Sequence, residues 1–171
     1  MNSTTEKKTP SWHVFYTASR QEKKCEISLA VDGHTVFLPL SEQMRQWSDR
    51  KKKIKVPLFP GYIFVKILSS EVTKVSGYRG IVGPVRFESG YAIAREEEIE
   101  SIRRLIETGV YAEIVPGSIT IGDKVVVDEG PLKGQTGQCV LESGGNYLYI
   151  EIPSVNHSIR CKLPAASLRK I

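Results

Sequence analysis

The stretch from Ile121 to Val140, IGDKVVVDEGPLKGQTGQCV, most constrains the fold of this chain. Lys124–Val127 is rich in valine, as in a strand of a small all-β unit. Gly130-Pro131 and Gly144-Gly145-Asn146 are turn sequences, and further short runs of valine, isoleucine and tyrosine lie between and after them. So small a segment of short strands can bury enough apolar surface only by curling on itself. The sequence therefore predicts a small β-barrel over residues 119–171.

Residues 12–108 show a different pattern, in which extended and helical segments alternate. The predicted strands are Trp12–Thr17, His34–Leu40, Tyr62–Ile67 and Pro84–Phe87, and the predicted helices are Arg20–Asp32, Ser69–Tyr78 and Arg95–Thr108. This order favours an α+β unit, in which helices pack on a mainly antiparallel sheet. We expect a disordered polar tail over residues 1–11 and, around Gly109, Pro116 and Gly117, a linker over residues 109–118.

The two long predicted helices carry specific signals. Ser19 and Glu22 have the spacing of an N-terminal capping box, and Gly33 stands where a left-handed C-terminal cap is expected. Cys25 and Leu29 are the predicted buried residues of that helix. In Arg95–Thr108, three isoleucines, Ile99, Ile102 and Ile106, recur on one face, and three glutamates crowd the first turn.

The strand Tyr62–Ile67 separates into two faces, because successive side chains point in opposite directions. Ile63, Val65 and Ile67 form the predicted core face. Tyr62, Phe64 and Lys66 form the other face, which is either a partner-binding surface or a surface that packs under a helix of the same domain, with Lys66 at the rim. The alternation alone favours neither alternative.

Charge is distributed unevenly along the chain. The formal net charge is +5, and residues 1–108 hold 18 Lys/Arg against 13 Asp/Glu, whereas residues 109–171 hold six of each. The basic run Arg50, Lys51, Lys52, Lys53 and Lys55 lies in a predicted hairpin or long connection between Ser41 and Lys55. A basic half beside a neutral half indicates that only one half meets a polyanion. The alternative for the basic run is a solvated hairpin tip.

Other classes of protein find little support in the sequence. No apolar run is long enough to span a membrane, residues 1–10 lack the apolar core of a secretion signal, and three distant cysteines fit a reducing compartment, so we expect a cytoplasmic protein without membrane contact. His157 and Cys161 are the only close pair of metal-ligand types, and we expect no metal site and no cofactor. No catalytic constellation stands at a recognisable spacing, which predicts a non-enzymatic protein.

The stretch from Ile121 to Val140 closely resembles the KOW motif, in Gly122, Gly130, Pro131, Lys133, Gly134 and Gly137 among others. Phe59-Pro60-Gly61-Tyr62-Ile63-Phe64-Val65 and Arg79-Gly80-Ile81-Val82, after a strand that opens Trp-x-Val, resemble the amino-terminal (NGN) domain of the NusG family. The resemblance implies an NGN domain over residues 12–108 and an SH3-like KOW barrel over residues 119–171. Trp47-Ser48-Asp49-Arg50, which leads into Val56-Pro57-Leu58-Phe59, is similar to specialised paralogues of the UpxY type, which act as antiterminators of capsular polysaccharide operons.

The resemblance implies a transcription elongation and antitermination factor, a monomer that suppresses pausing or termination. Its NGN domain would bind the clamp helices of the largest RNA polymerase subunit, through Val14, Tyr16, Phe59, Pro60, Tyr62 and Phe64. Replacing both Tyr62 and Phe64 by alanine is expected to abolish this binding and leave the fold intact. Arg50, Lys51, Lys52, Lys53 and Lys55 would lie near upstream or non-template DNA.

Two other readings remain. One is a housekeeping NusG protein, whose KOW domain couples polymerase to Rho or to a ribosomal protein. The other is an RNA-binding KOW protein with Lys133 at the RNA, against which the neutral charge of residues 109–171 weighs.

Overall fold

The computed structural model describes residues 9–119 and 121–171, so residues 1–8 of the predicted tail lie outside the described residues. The fold is α+β with antiparallel sheets, as predicted. In chain order the elements are β1 (Ser11–Thr17), α1 (Glu22–Val31), β2 (Thr35–Phe37), β3 (Leu40–Gln46), β4 (Lys51–Pro57), β5 (Tyr62–Ile67), α2 (Val72–Ser76), β6 (Ile81–Pro84), β7 (Arg86–Phe87), β8 (Gly90–Tyr91), β9 (Ile93–Ala94), α3 (Glu96–Thr108), β10 (Ala112–Pro116), β11 (Asp123–Val127), β12 (Thr136–Glu142), β13 (Gly145–Ile152), β14 (His157–Leu163) and β15 (Leu168–Lys170).

The chain packs as two compact units. The first comprises the chain up to Pro39 together with Pro57–Glu96, and the second comprises Leu40–Val56 and Glu97–Ile171. This grouping does not test the expected NGN, linker and KOW boundaries, which stay predictions.

An antiparallel sheet of strand order β2-β5-β1-β6, with β9 also paired to β1, forms the centre of the first unit. One face of this sheet is the core. Ile63, Val65 and Ile67 of β5 pack there with Phe15 of β1, with Cys25 and Leu29 of α1, and with Val72 and Val75 of α2. The predicted core face of β5 and the predicted buried residues of α1 are therefore confirmed.

Helix α1 begins differently from the prediction. Arg20 adopts a left-handed φ of 60°, Gln21 is the N-terminal cap, and no side chain caps the helix. The predicted capping box is therefore wrong. The Glu22 carboxylate is used elsewhere, because its Oε1 accepts a hydrogen bond from the backbone N of Gly61 at 2.9 Å. At the other end, Gly33 has φ +87° and its N–H donates to the Ala30 carbonyl, which confirms the predicted cap.

The predicted strand His34–Leu40 is divided in the structure. Strand β2 ends at Phe37, and β3 begins at Leu40 and pairs with β4 in a separate two-stranded sheet. Pro39 lies at the break, where its missing N–H cannot continue a ladder. The hairpin alternative for the segment from Ser41 to Lys55 is confirmed.

In the second unit, six strands form one antiparallel sheet of order β10-β14-β13-β12-β11-β15. Val125, Val127, Leu148, Ile150, Ile152 and Ile159 are buried in this unit. Strand β10 lies within the predicted linker and pairs with β14 along its whole length. The segment expected as a linker thus contains a strand of five residues, which shows too little periodicity to be recognised without its partner.

Two glycines of the predicted KOW motif are required by close approaches of the backbone. A Cβ atom at Gly137 would collide with the carbonyl oxygen of Tyr149 on the neighbouring strand, and a Cβ atom at Gly122 would collide with the carbonyl of Cys139. Gly122 also has φ +113°, which side-chain-bearing residues rarely adopt. These positions explain why the motif needs glycine for its geometry.

Helix α3 packs in the second unit through side-chain contacts to backbone. The buried carboxylate of Glu98 accepts a hydrogen bond from the Ser154 N at 3.1 Å, and Arg104 Nη1 donates to the Lys133 carbonyl at 3.2 Å. Ile99 and Ile102 are buried as predicted, together with Leu105, whereas Ile106 is half-buried.

The cysteines are free thiols, as expected for a chain without a disulfide framework. Cys25 and Cys161 are buried, and burial raises the pKa of the Cys161 thiol to about 11. Within residues 9–119 and 121–171, no helix has the length and apolar character needed to cross a membrane.

Arg160 connects four strands of the second unit. Its Nη1 lies 2.5 Å from Glu113 Oε2 on β10, its Nη2 lies 2.5 Å from Glu142 Oε2 on β12, and its Nε lies 3.1 Å from the Tyr149 hydroxyl on β13. The guanidinium carbon is 3.6 Å from the centroid of the Tyr147 ring. A planar guanidinium can make these contacts simultaneously, whereas an ammonium cannot.

We expect Arg160→Lys to lower the melting temperature of the protein by about 5 °C, because lysine cannot bridge both carboxylates and stack on the ring. Differential scanning calorimetry at neutral pH measures this change. Arg169→Lys is the matched control, since Arg169 is exposed and its guanidinium bonds only Asp128 among the described contacts. Equal melting temperatures for Arg160→Lys and wild type would contradict the bridging role.

Melting temperatures measured at low pH provide a second test of the Arg160 contacts. Hydrogen bonds from Arg160 and Tyr149 hold the pKa of Glu142 below its usual value near 4.5. A carboxylate with a lowered folded-state pKa stabilises the fold fully above the usual pKa and loses this stabilisation as the pH falls through the lowered value. The difference in melting temperature between wild type and Arg160→Lys should therefore shrink in acid.

Candidate functional site

The second face of the first-unit sheet is built from aromatic side chains. Val14 and Phe64 are backbone partners across β1 and β5, and Phe37 of β2 is the partner of Phe64 on the other side. The Phe37 ring lies 5.9 Å from the Phe64 ring and 6.3 Å from the Trp12 ring, measured between centroids. Trp12, Val14 and Phe64 are at most 3% exposed. Most of this face is therefore buried.

Lys66 lies at the rim of the second face. Its Nζ is 5.6 Å from the Trp12 ring centroid and 3.4 Å from Glu96 Oε2, and the same carboxylate oxygen accepts a hydrogen bond from Trp12 Nε1 at 3.1 Å. The lysine stem thus covers an aromatic ring while the ammonium reaches a carboxylate. Lys66 therefore occupies the rim position that is expected if this face packs within its own domain.

Three residues at the opposite end of the face remain accessible. Tyr16 is 41% exposed, Tyr62 is half-buried and Pro60 is exposed; we call these three residues the aromatic end. Tyr16 and Tyr62 are cross-strand partners with ring centroids 5.3 Å apart. Burial and the neighbouring Tyr16 hydroxyl raise the pKa of Tyr62, so the Tyr62 phenol is a neutral hydrogen-bonding group at neutral pH.

The structure thus divides the six residues expected to bind polymerase. Tyr16, Pro60 and Tyr62 are accessible, but Val14, Phe59 and Phe64 are 1%, 2% and 0% exposed. The buried three are therefore not accessible to a partner in this structure, and polymerase binding by the six residues stays a prediction. Alternation along a strand shows which side chains share a face, but it carries no information about what covers that face. Because Phe64 is fully buried, a Tyr62→Ala, Phe64→Ala variant is expected to lose stability, contrary to the expectation from sequence that its fold stays intact.

The turn before Tyr62 is held by Glu22. Tyr62 N donates to the Phe59 carbonyl at 3.2 Å, and the Gly61 N–H between them donates to the Glu22 carboxylate, which is 6% exposed. Gly61 adopts φ +84°, which suits glycine. A residue of α1 therefore positions the turn that presents Pro60 and Tyr62.

We expect Glu22→Ala to lower the free energy of unfolding by about 1–3 kcal/mol, because the Gly61 N–H loses its acceptor. Glu22→Gln is the matched control, since its amide oxygen can still accept the hydrogen bond. Urea denaturation measures the stability, and amide hydrogen exchange at Gly61 reports the bond itself. Unchanged protection of the Gly61 amide in Glu22→Ala would show that the carboxylate does not hold this turn.

The basic run lies on the hairpin of β3 and β4 and is exposed throughout. Arg50, Lys51, Lys52, Lys53 and Lys55 are all exposed, as a DNA-proximal role requires. Lys53 Nζ lies 3.9 Å from Glu42 Oε2, a long and solvent-exposed ion pair that contributes little. Exposure does not distinguish DNA contact from a solvated tip, so the role stays a prediction.

Trp47 is a candidate functional residue that the sequence pattern alone did not identify. This residue stands in the middle of the basic segment and is 55% exposed in the structure. The available signal was an aromatic residue interleaved with cations, which is a pattern of nucleic-acid surfaces.

Residues 130–134 of the predicted KOW motif form a turn rather than a cluster of reactive groups. Lys133 N donates to the Gly130 carbonyl at 3.1 Å, and Gly134 N donates to the Val127 carbonyl at 2.7 Å. Gly130 and Gly134 both have positive φ, and Pro131 and the Lys133 side chain are exposed. The motif therefore has a structural role, which is to form this turn.

A family model and several known proteins match this chain. The family model "Transcription termination factor nusG" matches residues 10–103. The transcription termination/antitermination protein NusG of Staphylococcus epidermidis is 23% identical over 141 residues, which cover 74% of this chain and 76% of that protein. The protein of the same name from Staphylococcus carnosus is 22% identical with the same coverage.

A solved structure described as "Domain interaction in Thermotoga maritima NusG" has a similar fold. It superposes with a TM-score of 0.55 and 20% identity, and the match covers 95% of this chain and 97% of that chain. At this identity the likeness concerns the fold. The family model spans more than half of the 171 residues. The chain therefore belongs to the NusG family of transcription termination and antitermination factors.

Proposed function

We propose that this protein is an elongation and antitermination factor that binds RNA polymerase through its first unit and suppresses pausing or termination. The observation that supports binding is the aromatic end, where Tyr16, Pro60 and Tyr62 are accessible beside buried aromatic residues. Tyrosines held rigidly at an accessible surface are typical hot spots of protein interfaces. The family resemblance implies the clamp helices of the largest polymerase subunit as the partner.

Val14, Phe59 and Phe64 keep a part in this proposal as support for the aromatic end. Phe59 accepts the backbone hydrogen bond of Tyr62. Rigid support reduces the entropy that the two tyrosines lose on binding. These three residues act on affinity through the position of the tyrosines.

Affinity capture followed by site-specific crosslinking tests the proposal. The full-length protein, tagged and expressed in its own host, is expected to copurify with RNA polymerase. A photoreactive phenylalanine analogue at Tyr62 should then crosslink to the clamp helices of the largest subunit, whereas the same analogue at Tyr111, which is 78% exposed, should not. Failure to capture polymerase, or equal crosslinking from both positions, would refute the proposal.

The basic hairpin supplies the proposed contact with upstream or non-template DNA. Phosphate contacts release counterions, so the contribution of these side chains to binding must fall as salt rises. Polymerase elongation complexes with DNA should bind wild type more tightly than a Lys51→Ala, Lys53→Ala variant, and the gap should close at high salt. A gap that is independent of salt would rule out direct phosphate contact.

We further propose that polysaccharide biosynthesis operons are the targets. The support is the UpxY-like sequence from Trp47 to Phe59, which includes the hairpin turn and β4. Deletion of the gene followed by expression profiling should lower distal transcription of one or a few long polysaccharide operons. Broad changes across many operons would instead favour a housekeeping role.

A housekeeping role is the second candidate, and the names of the staphylococcal relatives favour it. In that case residues 119–171, the predicted KOW domain, would couple polymerase to Rho or to a ribosomal protein. The capture experiment distinguishes the two, because Rho or ribosomal proteins should then accompany polymerase and disappear from a variant truncated after Gly117.

A further inference from the structure

The turn of the β3–β4 hairpin decides which side chains share a face. Trp47 N donates to the Arg50 carbonyl at 2.8 Å, so only two residues form the turn between them. Side chains alternate along a strand, and directly paired residues point to the same side of an antiparallel ribbon. Arg45, Trp47, Arg50 and Lys52 therefore lie on one side, and we call these four residues the Trp47 face.

The acidic residues of the hairpin lie elsewhere. Between Leu40 and Pro57 the sequence contains only two acids, Glu42 and Asp49. The 3.9 Å ion pair between Glu42 and Lys53 places both on the opposite side of the hairpin. Asp49 lies in the turn itself. The Trp47 face thus presents three cations and no carboxylate.

Trp47 is the large apolar side chain of this face and lies next to the turn. It is 55% exposed, whereas Trp12, the other tryptophan of the chain, is 3% exposed. An indole this accessible is a large apolar surface in water and a good stacking platform. Its nearest neighbours on the face, Arg50 across the hairpin and Arg45 along the strand, are both exposed.

The chemistry of the Trp47 face favours a nucleic acid over a membrane surface or an apolar protein partner. An interfacial membrane anchor needs several exposed apolar side chains, and this face exposes a single ring at its tip, with Ile54 half-buried further along. An apolar protein partner would desolvate three cations without supplying counter-charges. A nucleic acid supplies both a π-face for the indole and phosphates for the cations.

We propose that the Trp47 face binds an unpaired DNA strand, with one base stacked on the Trp47 indole and the adjacent phosphates at Arg45, Arg50 and Lys52. The strand must be unpaired because bases inside a duplex already stack on each other and offer no face to the indole. The choice of DNA rests on the proposed function, which brings the hairpin to the DNA of an elongation complex.

Titration of the full-length protein with short oligothymidylate tests the proposal. Trp12 is buried, so quenching of tryptophan fluorescence on binding should come from Trp47. Trp47→Leu should weaken binding about tenfold without changing its dependence on salt. Lys52→Ala should instead reduce the slope of affinity against salt by about one counterion.

Matched controls separate stacking from general attraction to a basic protein. Met44→Ala removes a 58%-exposed apolar side chain from the opposite side of the same hairpin and should change affinity less than twofold. Duplex DNA should bind more weakly than the single strand and should be insensitive to Trp47→Leu. Equal binding by Trp47→Leu and wild type, or an equal loss for duplex and single strand, would overturn the proposal.

Two further titrations test whether the Trp47 face binds RNA or a membrane surface instead. Tighter Trp47-dependent binding of oligouridylate than of oligothymidylate would show that the site takes RNA. Trp47-dependent binding of phosphatidylserine vesicles without binding of oligothymidylate would show a membrane surface. Polymerase capture by Trp47→Leu should match wild type, because Trp47 lies outside the aromatic end; if wild type binds the oligonucleotide through Trp47 but captures no polymerase, only the proposed function fails.

Discussion

Replacing Phe64 by alanine is expected to lower the free energy of unfolding by about 3–5 kcal/mol. Phe64 is 0% exposed and its ring lies against Phe37, so truncation removes a fully buried ring and leaves a cavity. Urea denaturation followed by circular dichroism measures the change. Phe64→Leu is the matched control, because it retains most of the apolar volume and should lose much less stability.

The Phe64 experiment also decides between burial and docking. A loss below about 1 kcal/mol for Phe64→Ala would mean that the side chain is not buried in solution and is available to a partner, since losses that small are typical of surface positions. In that case weaker polymerase binding by the variant would restore Phe64 to the docking surface. A large loss of stability means that any loss of binding by this variant reflects the fold.

Replacing both Tyr16 and Tyr62 by alanine is expected to weaken polymerase binding by about 2 kcal/mol or more, roughly 30-fold. Both side chains are accessible, their rings are 5.3 Å apart, and both belong to the aromatic end. The fold should persist, because the buried side chains of Val14, Phe59 and Phe64 are unchanged. Binding is measured by biolayer interferometry on immobilised polymerase, with thermal unfolding as the check on folding.

The matched control for the tyrosine pair is Tyr111→Ala. Tyr111 is 78% exposed and lies in the second unit, so its loss should affect neither stability nor polymerase affinity. Wild-type affinity in a well-folded Tyr16→Ala, Tyr62→Ala variant would remove the aromatic end from the proposed interface. Equal losses for Tyr111→Ala and the pair would indicate a non-specific effect.

Local pattern predicted most elements of the fold. The alternation in Tyr62–Ile67 identified the core face, because strand geometry imposes that period whatever surrounds the strand. The isoleucine spacing identified α3, and the valine runs with Gly-Pro turns identified β11–β13. Short strands such as β10 and β15 were not predicted, because they have few residues and depend on hydrogen bonds to a partner distant in the sequence.

Contacts distant in the sequence account for the errors at the site. Glu22 stands at the spacing of a capping box, but its carboxylate bonds Gly61 instead, a partner 39 residues away. Phe64 was expected at an accessible surface, yet it is buried beside Phe37, which lies on another strand. Neither partner can be inferred from local spacing, because contacts between residues distant in the sequence depend on the tertiary fold.

The sequence by itself determined the α+β class, the two faces of β5, the basic segment, and the turn glycines between Ile121 and Val140, because each depends on local geometry or residue type. Only the tertiary structure decided the accessibility of those faces. It buried Phe59 and Phe64 and left Tyr16, Pro60 and Tyr62 in reach of a partner. It also left Trp47 exposed among cations. Solvent exposure is a property of everything packed around a side chain, and no local pattern contains that information.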